Sequence, residues 1–363
     1  MSKIEKKNKP RRIAFRIVMA AAIVVTLAVT VFAAEEILGA GDWFRGAYEE
    51  EITDSQVEVI NQLGESFQQQ TITSEGTTVT LAAAYGDENV LYLYLKAEAP
   101  EGTVLPDGIE YEFCDYNNDV NNEKGYWESI TVPEGEPYEY ISYQESIEAV
   151  ADEDPTDNKK DFIVKFYGFM SEKFSYNDGV PKYFHMTGIY EQVPNVDGDV
   201  DGYVQLAPGE FTFDVGIINE AQWIELDISD CVYSGTKSRT WTCGFEECGK
   251  FCEGLETNGR EHTEYWELSV KPISLNISNI SAEWACDYEI SNTDKSVGLD
   301  FRIIMKDGSS PDMSFGGGMY RTGHSEGAVL FDKPIVMEEV DYILIGDPDV
   351  DNTYKVYLPE VTG

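Results

Sequence analysis

Histidine is scarce: three residues in 363, His185, His262 and His324, spaced too widely for a short-range metal-ligand pair. No serine or cysteine stands in a motif that would join them as an activated nucleophile. The one glycine run, Gly316 to Gly318, lacks the following lysine and the strand-to-helix setting of a phosphate loop. Acidic pairs occur throughout, so paired carboxylates single out no position. With no constellation offering an acid, a base and a nucleophile, the chain is expected not to be an enzyme.

Positive charge is also in short supply, with 26 basic against 67 acidic residues and a formal charge of −41. Its distribution matters more than its total. Residues 1–16 hold seven of the basic groups (Lys3, Lys6, Lys7, Lys9, Arg11, Arg12, Arg16) and one acid, Glu5. The remaining 347 residues carry 19 basic and 66 acidic groups, a formal charge of −47. Such a field repels nucleic acid and anionic lipid headgroups, and favours cations or cationic protein partners. Composition otherwise suits a folded chain, since 42% of residues are hydrophobic and 12% aromatic.

Long apolar runs are absent but for one, IVMAAAIVVTLAVTVFAA at 17–34, 18 residues without a charge. As a helix it spans about 27 Å, close to the hydrocarbon thickness of a bilayer. Its basic flank should stay in the cytoplasm and leave the rest outside the cell membrane, giving a single-pass protein with N-terminus in and C-terminal portion extracellular. A removable signal peptide has the same layout, with Val31-Phe32-Ala33 as a cleavage site. The retained anchor is the reading adopted, because the run exceeds the usual signal-peptide core.

The expected organisation is all-β. After the 1–16 tail and the 17–34 transmembrane helix come a juxtamembrane stalk and short helix (35–65), then two immunoglobulin-like antiparallel β-sandwiches at 66–225 and 226–363, the first with a long insertion. Trp43 and Phe44 suit a membrane interface. Thr53 and Gln56 have capping-box spacing, Ile52 and Val57 form a hydrophobic staple, and Gly64 stands where a C′ glycine belongs. Val57, Ile60 and Leu63 line one helical face. Strands are expected at 77–85 and 90–99 as a hairpin, then at 109–113, 138–143, 161–169 and 211–217. A second set falls at 266–277, 282–290, 297–305, 329–332, 340–345 and 354–358. The stretch 170–208, rich in Gly, Pro, Asp and Tyr, reads as an elaborated loop.

Asn195-Val196-Asp197-Gly198-Asp199-Val200-Asp201-Gly202 is the sharpest local motif. Asp197, Asp199 and Asp201 could wrap calcium as in the first half of an EF-hand loop, but position twelve is Pro208 instead of Glu. A solvated acidic turn explains the same residues. Asp347, Asp349 and Asp351 form a second such set, and Asp115, Asn117 and Asp119 a looser third. Cysteines number six, all after the apolar run. Cys243, Cys248 and Cys252 cluster without zinc-finger spacing and beside Glu246, Glu247 and Glu253, which oppose thiolate formation, so a disulfide-stapled loop is the reading, with free thiols the alternative.

The order of parts resembles a Gram-positive bacterial family known as domain of unknown function 4179. The matching stretches are the basic tail and anchor, ITDSQVEVINQLGESF (52–67), GTTVTL (76–81) and VLFDKPIVMEEVDYILIGD (329–347). The resemblance implies a single-pass surface protein with immunoglobulin-like domains, some relatives being associated with sigma-factor regulation. Sixteen residues before the anchor are too few to fold around a sigma factor, so direct capture does not carry over. The expected function is binding or sensing outside the membrane, possible alternatives being surface adhesion, carbohydrate binding or an enzyme with an unrecognised site.

Overall fold

The computed structural model describes residues 39–48, 52–65, 67–87, 89–114, 130–131, 144–151, 154–167, 183–194, 200–215, 223–242, 261–291, 297–346 and 352–359. Within them run two α-helices, α1 (Ala40–Ala47) and α2 (Asp54–Gly64), and eighteen strands whose pairings are all antiparallel. The all-β class is therefore correct for these parts. No helix among the described residues is long and apolar enough to cross a membrane, and the apolar run at 17–34 lies outside them.

The first five-stranded sheet contains β1 (Gln70–Ser74), β2 (Thr77–Gly86), β3 (Val90–Glu98), β7 (Lys159–Tyr167) and β6 (Gln144–Ala149), hydrogen-bonded in that order. It faces a smaller sheet in which β8 (Tyr183–Pro194) pairs along one edge with β4 (Tyr111–Glu112) and β5 (Ile130–Thr131) and along the other with β9 (Val200–Asp214). Leu91, Leu93 and Leu95 of β3, Phe162, Val164 and Phe166 of β7, and Phe184, Phe211 and Phe213 of the opposite sheet close one core.

A second pair of sheets begins at β10 (Ile224–Leu226). With β11 (Tyr233–Thr242) it lies along β12 (Glu261–Ile277), followed by β13 (Ser281–Ile290), β16 (His324–Phe331) and β15 (Met313–Arg321). Against this sheet packs a three-stranded one of β14 (Phe301–Met305), β17 (Val340–Ile345) and β18 (Tyr354–Val356). Leu268, Val270, Leu275, Trp284, Ile303, Ile343 and Ile345 fill the space between them.

Burial along β3 explains how the parts are joined. From Val90 to Leu95 every residue is buried, where a one-sided strand would alternate. The leucines at 91, 93 and 95 point into the first core, while Val90, Tyr92 and Tyr94 point outward into a third. That third core takes Phe44 of α1, Val57, Ile60 and Leu63 of α2, and Ile280 and Leu330 of the second pair of sheets. One apolar cluster thus holds helices and both sheet pairs together.

Four local expectations are corrected. Phe44 is buried against Tyr85, with ring centroids 4.7 Å apart, and the Trp43 ring lies 5.6 Å from Tyr94 with Lys96 Nζ 4.7 Å above it, so neither position is a free membrane-interface aromatic. Residues 40–47, inside the expected juxtamembrane stalk, form a helix because Phe44 has a core to enter. Gly64 ends α2 without a left-handed turn, since the following Glu65 is right-handed at φ −58°. Its smallness serves packing: an added Cβ would stand 2.5 Å from Cβ of Ala40. Lastly, the 170–208 stretch contains β8 and the start of β9.

Candidate functional site

Two hairpin turns, one from each sheet pair, meet at Asp87. The β2–β3 turn carries Asp87 and Asn89, and the β12–β13 turn carries Ser278 and Ser281; all four are buried. Asp87 Oδ1 accepts the backbone N–H groups of Asn89 (2.8 Å) and Val90 (3.1 Å). Its Oδ2 accepts the hydroxyls of Ser278 (2.6 Å) and Ser281 (2.5 Å). Asn89 Nδ2 donates to Ser281 Oγ at 3.2 Å. Burial pushes the Asp87 carboxyl above its ordinary value, while the two serines and two N–H groups pull it back only in part.

Helix α2 is tied to the same joint. The Thr53 hydroxyl accepts the N–H of Gln56 and the Gln56 side chain accepts the N–H of Thr53, a full capping box as the spacing led one to expect. Gln56 Nε2 then donates to the carbonyl of Pro334 at 2.7 Å. The 332–336 segment is held in turn by Asn279, whose Nδ2 donates to the Ile335 carbonyl at 2.9 Å and whose own carbonyl accepts the Ile335 N–H at 2.7 Å. Four pieces of chain thereby fix one another.

Beside this joint opens a cleft of about 410 Å³. Thr53 and Gln56 form one wall, and residues from Met305 to Pro311 and from Asp332 to Val336 form the others. Its rim carries Lys306 and Lys333 together with Asp307, Asp312, Asp332 and Glu339. Lys306 Nζ donates to the Glu338 carbonyl at 2.6 Å, and Asp307 is held below the usual carboxylate range by hydrogen bonds from Ser309. Such a lining offers both signs of charge and hydroxyls to a small polar ligand. The sealed Asp87 cannot reach one. Its chemistry is that of a bolt.

Of the residues singled out by sequence, Asp197, Asp199, Cys243, Cys248 and Cys252 lie outside the described residues, as do the acidic sets at 115–119 and 347–351 and the expected strand at 138–143. Asp201 lies on β9 next to a register shift opposite Pro194. Among the described residues no three His, Cys, Asp or Glu side chains are grouped to hold a metal ion. Cys231 and Cys286 are free thiols in the second core, and burial raises both, Cys286 to about 12. Neither is a ready nucleophile at neutral pH. His185 Nδ1 lies 2.9 Å from Thr212 Oγ1 and His324 Nδ1 lies 2.9 Å from Asp287, on different sheet pairs. Sequence reasoning missed Asp87 because an aspartate in a Gly-Asp-Glu-Asn turn looks like any exposed turn residue.

No protein-family model matches the chain, and no curated protein matches it. A solved structure described as the conserved domain protein from Bacillus anthracis is similar over 79% of this chain and 78% of its own, at 14% identity and a TM-score of 0.41.

Proposed function

We propose that the chain is a single-pass membrane protein, N-terminus in the cytoplasm, whose immunoglobulin-like outer domains bind a ligand or partner and sense its presence. The observation that carries this reading is the position of α1 and α2. Helix α1 follows the apolar run within a few residues and α2 comes next in the chain; they dock on the first sheet pair through Phe44 and reach the second through Gln56 and Pro334. A ligand that alters the angle between the sheet pairs would therefore pull directly on the segment nearest the membrane. The mixed-charge cleft beside the joint is where such a ligand would act. The resemblance to the domain of unknown function 4179 family agrees with this topology.

Surface adhesion or carbohydrate binding is the second reading. It is favoured by Tyr357, 62% exposed and 6.1 Å from the Tyr342 ring, over which Lys355 Nζ stands at 3.9 Å. An exposed tyrosine beside a half-buried one, with a cation over the latter, offers a stacking surface.

The test uses intact bacteria expressing the full chain with a C-terminal tag. External protease should remove the tag and leave a short membrane-bound N-terminal fragment, and chain solubilised from membranes should bring down its partner. A soluble product in the medium that begins near Ala34 would overturn the anchor. Glycan-array binding lost on Tyr357→Ala would favour the second reading.

A further inference from the structure

Lys160 presents an unusual arrangement. It lies on the inward face of β7, in line with Phe162, Val164 and Phe166, and its side chain is wholly buried. Its Nζ stands 2.5 Å from Oδ1 of Asp107, whose side chain keeps 41% of its exposure. Both partners are fixed from outside the pair. Lys160 faces Ala97 in the β3–β7 ladder. The loop bearing Asp107 is tied to the turn that leads into β7 by the Leu105 N–H donating to the Asp157 carbonyl at 3.1 Å. It is tied to the opposite sheet by the Tyr111 hydroxyl, which donates to the Pro106 carbonyl at 2.6 Å. The Tyr111 ring packs edge-on to Phe162 at 5.0 Å.

We propose that Lys160 and Asp107 join spontaneously as an intramolecular amide cross-link. The step begins with transfer of a proton from Nζ to the Oδ1 it touches, which leaves an amine lone pair beside a carboxylic acid. The amine attacks Cγ of Asp107, the C–N bond forms, and the Cγ–Oδ1 bond breaks. Oδ1 leaves as water with the two protons that nitrogen sheds. Nothing is oxidised or reduced, and no co-reactant is needed. Fixing both groups in contact replaces a bimolecular encounter, which is the main barrier to condensation. The buried lysine side keeps bulk water from reversing the reaction, and the open aspartate side lets the product water escape. The cross-link would tie β7 to the loop crossing between the two sheets, closing a loop 53 residues long in sequence separation. For a domain exposed outside the cell, that is covalent protection against pulling and proteolysis.

The test is the mass of the purified full chain, denatured and fully reduced. The expected result is a deficit of one water from the sequence mass, with a branched proteolytic peptide joining the Lys160 and Asp107 segments. Lys160→Met and Asp107→Ala should both restore the full mass. Asp107→Asn should converge on the wild-type mass, because ammonia leaves in place of water and the product is the same amide. Folded wild type at its full sequence mass would overturn the proposal. So would a deficit that survives in Lys160→Met, since a cyclic imide at Asp107-Gly108 loses one water without any lysine.

Discussion

A methyl group on Gly64 would meet Cβ of Ala40 at 2.5 Å and the Ala84 carbonyl oxygen at 3.2 Å, neither of which can swing away. Gly64→Ala would gain about 1 kcal/mol of helix propensity and lose about 1–3 kcal/mol to overpacking. Overpacking matches or exceeds that gain, so urea unfolding should show a net loss of up to about 2 kcal/mol; a more stable variant would mean that α1 is free to shift. Asp87 supplies the second test at this scale. Its folded-state value is raised by burial above the ordinary one near 3.8. The stability it contributes is therefore fully present below the unfolded value and is lost as pH rises through the folded one. Asp87→Asn removes that dependence. The stability of wild type minus that of the variant should fall as pH rises from about 4. Taking the difference cancels oppositely shifted carboxylates such as Asp154, which Thr156 holds low. A difference that rises with pH would mean the four donors outweigh burial.

At the scale of elements, α1 and α2 depend on the sandwich more than on themselves, since eight and eleven residues are too short to hold helix alone. Phe44→Ala empties a fully buried site between Tyr85 and Tyr94 and should cost about 3–5 kcal/mol. The loss should fall on the helices. Hydrogen exchange should show amides at 54–64 losing protection while those of Leu91, Leu93 and Leu95 keep theirs; equal loss at both would show that the helices are integral to the first core. Element by element, the sequence was readable where one simple period ran unbroken. The VLYLYL run gave β3 directly, and the Thr53 to Gln56 spacing gave the start of α2. It was opaque in β8 and in β9 before Phe211, where register shifts after Met186, Ile189 and Val193 break the two-residue alternation, while the end of β9 was expected at 211–217. Gly188 at φ 151° and Gly209 at φ 140° occupy backbone shapes that read as loop. Strand β11 was missed for another reason. Among the described residues it pairs with β12 alone, and after Tyr233 its described side chains are polar and mostly exposed. The Asp87 joint was unreadable because its two serine partners lie more than 190 residues away.

At the scale of the whole molecule, a chain of formal charge −41 must hold two acidic sheet pairs together against their mutual repulsion. The apolar contacts of Ile280 and Leu330 supply attraction, and the Asp87 joint supplies registry, because a buried carboxylate is tolerable only where all its donors are met. This coupling predicts that the sheet pairs unfold as one unit. Calorimetry of wild type should give a single transition whose calorimetric and van't Hoff enthalpies agree. Ser278→Ala with Ser281→Ala leaves each core intact but strips two hydroxyl donors from a buried charge, at about 1–3 kcal/mol each. That loss falls wholly on the docked state, since Asp87 regains water once the turns separate. The double variant should therefore melt in two steps. Restoring the match by adding Asp87→Asn, whose amide needs no charge-compensating donors, should bring the transitions back toward one. Two separate transitions already present in wild type would show that the joint is too weak to couple the sheet pairs, and would remove the mechanical basis for passing a signal from the outer domains to the membrane-proximal helices.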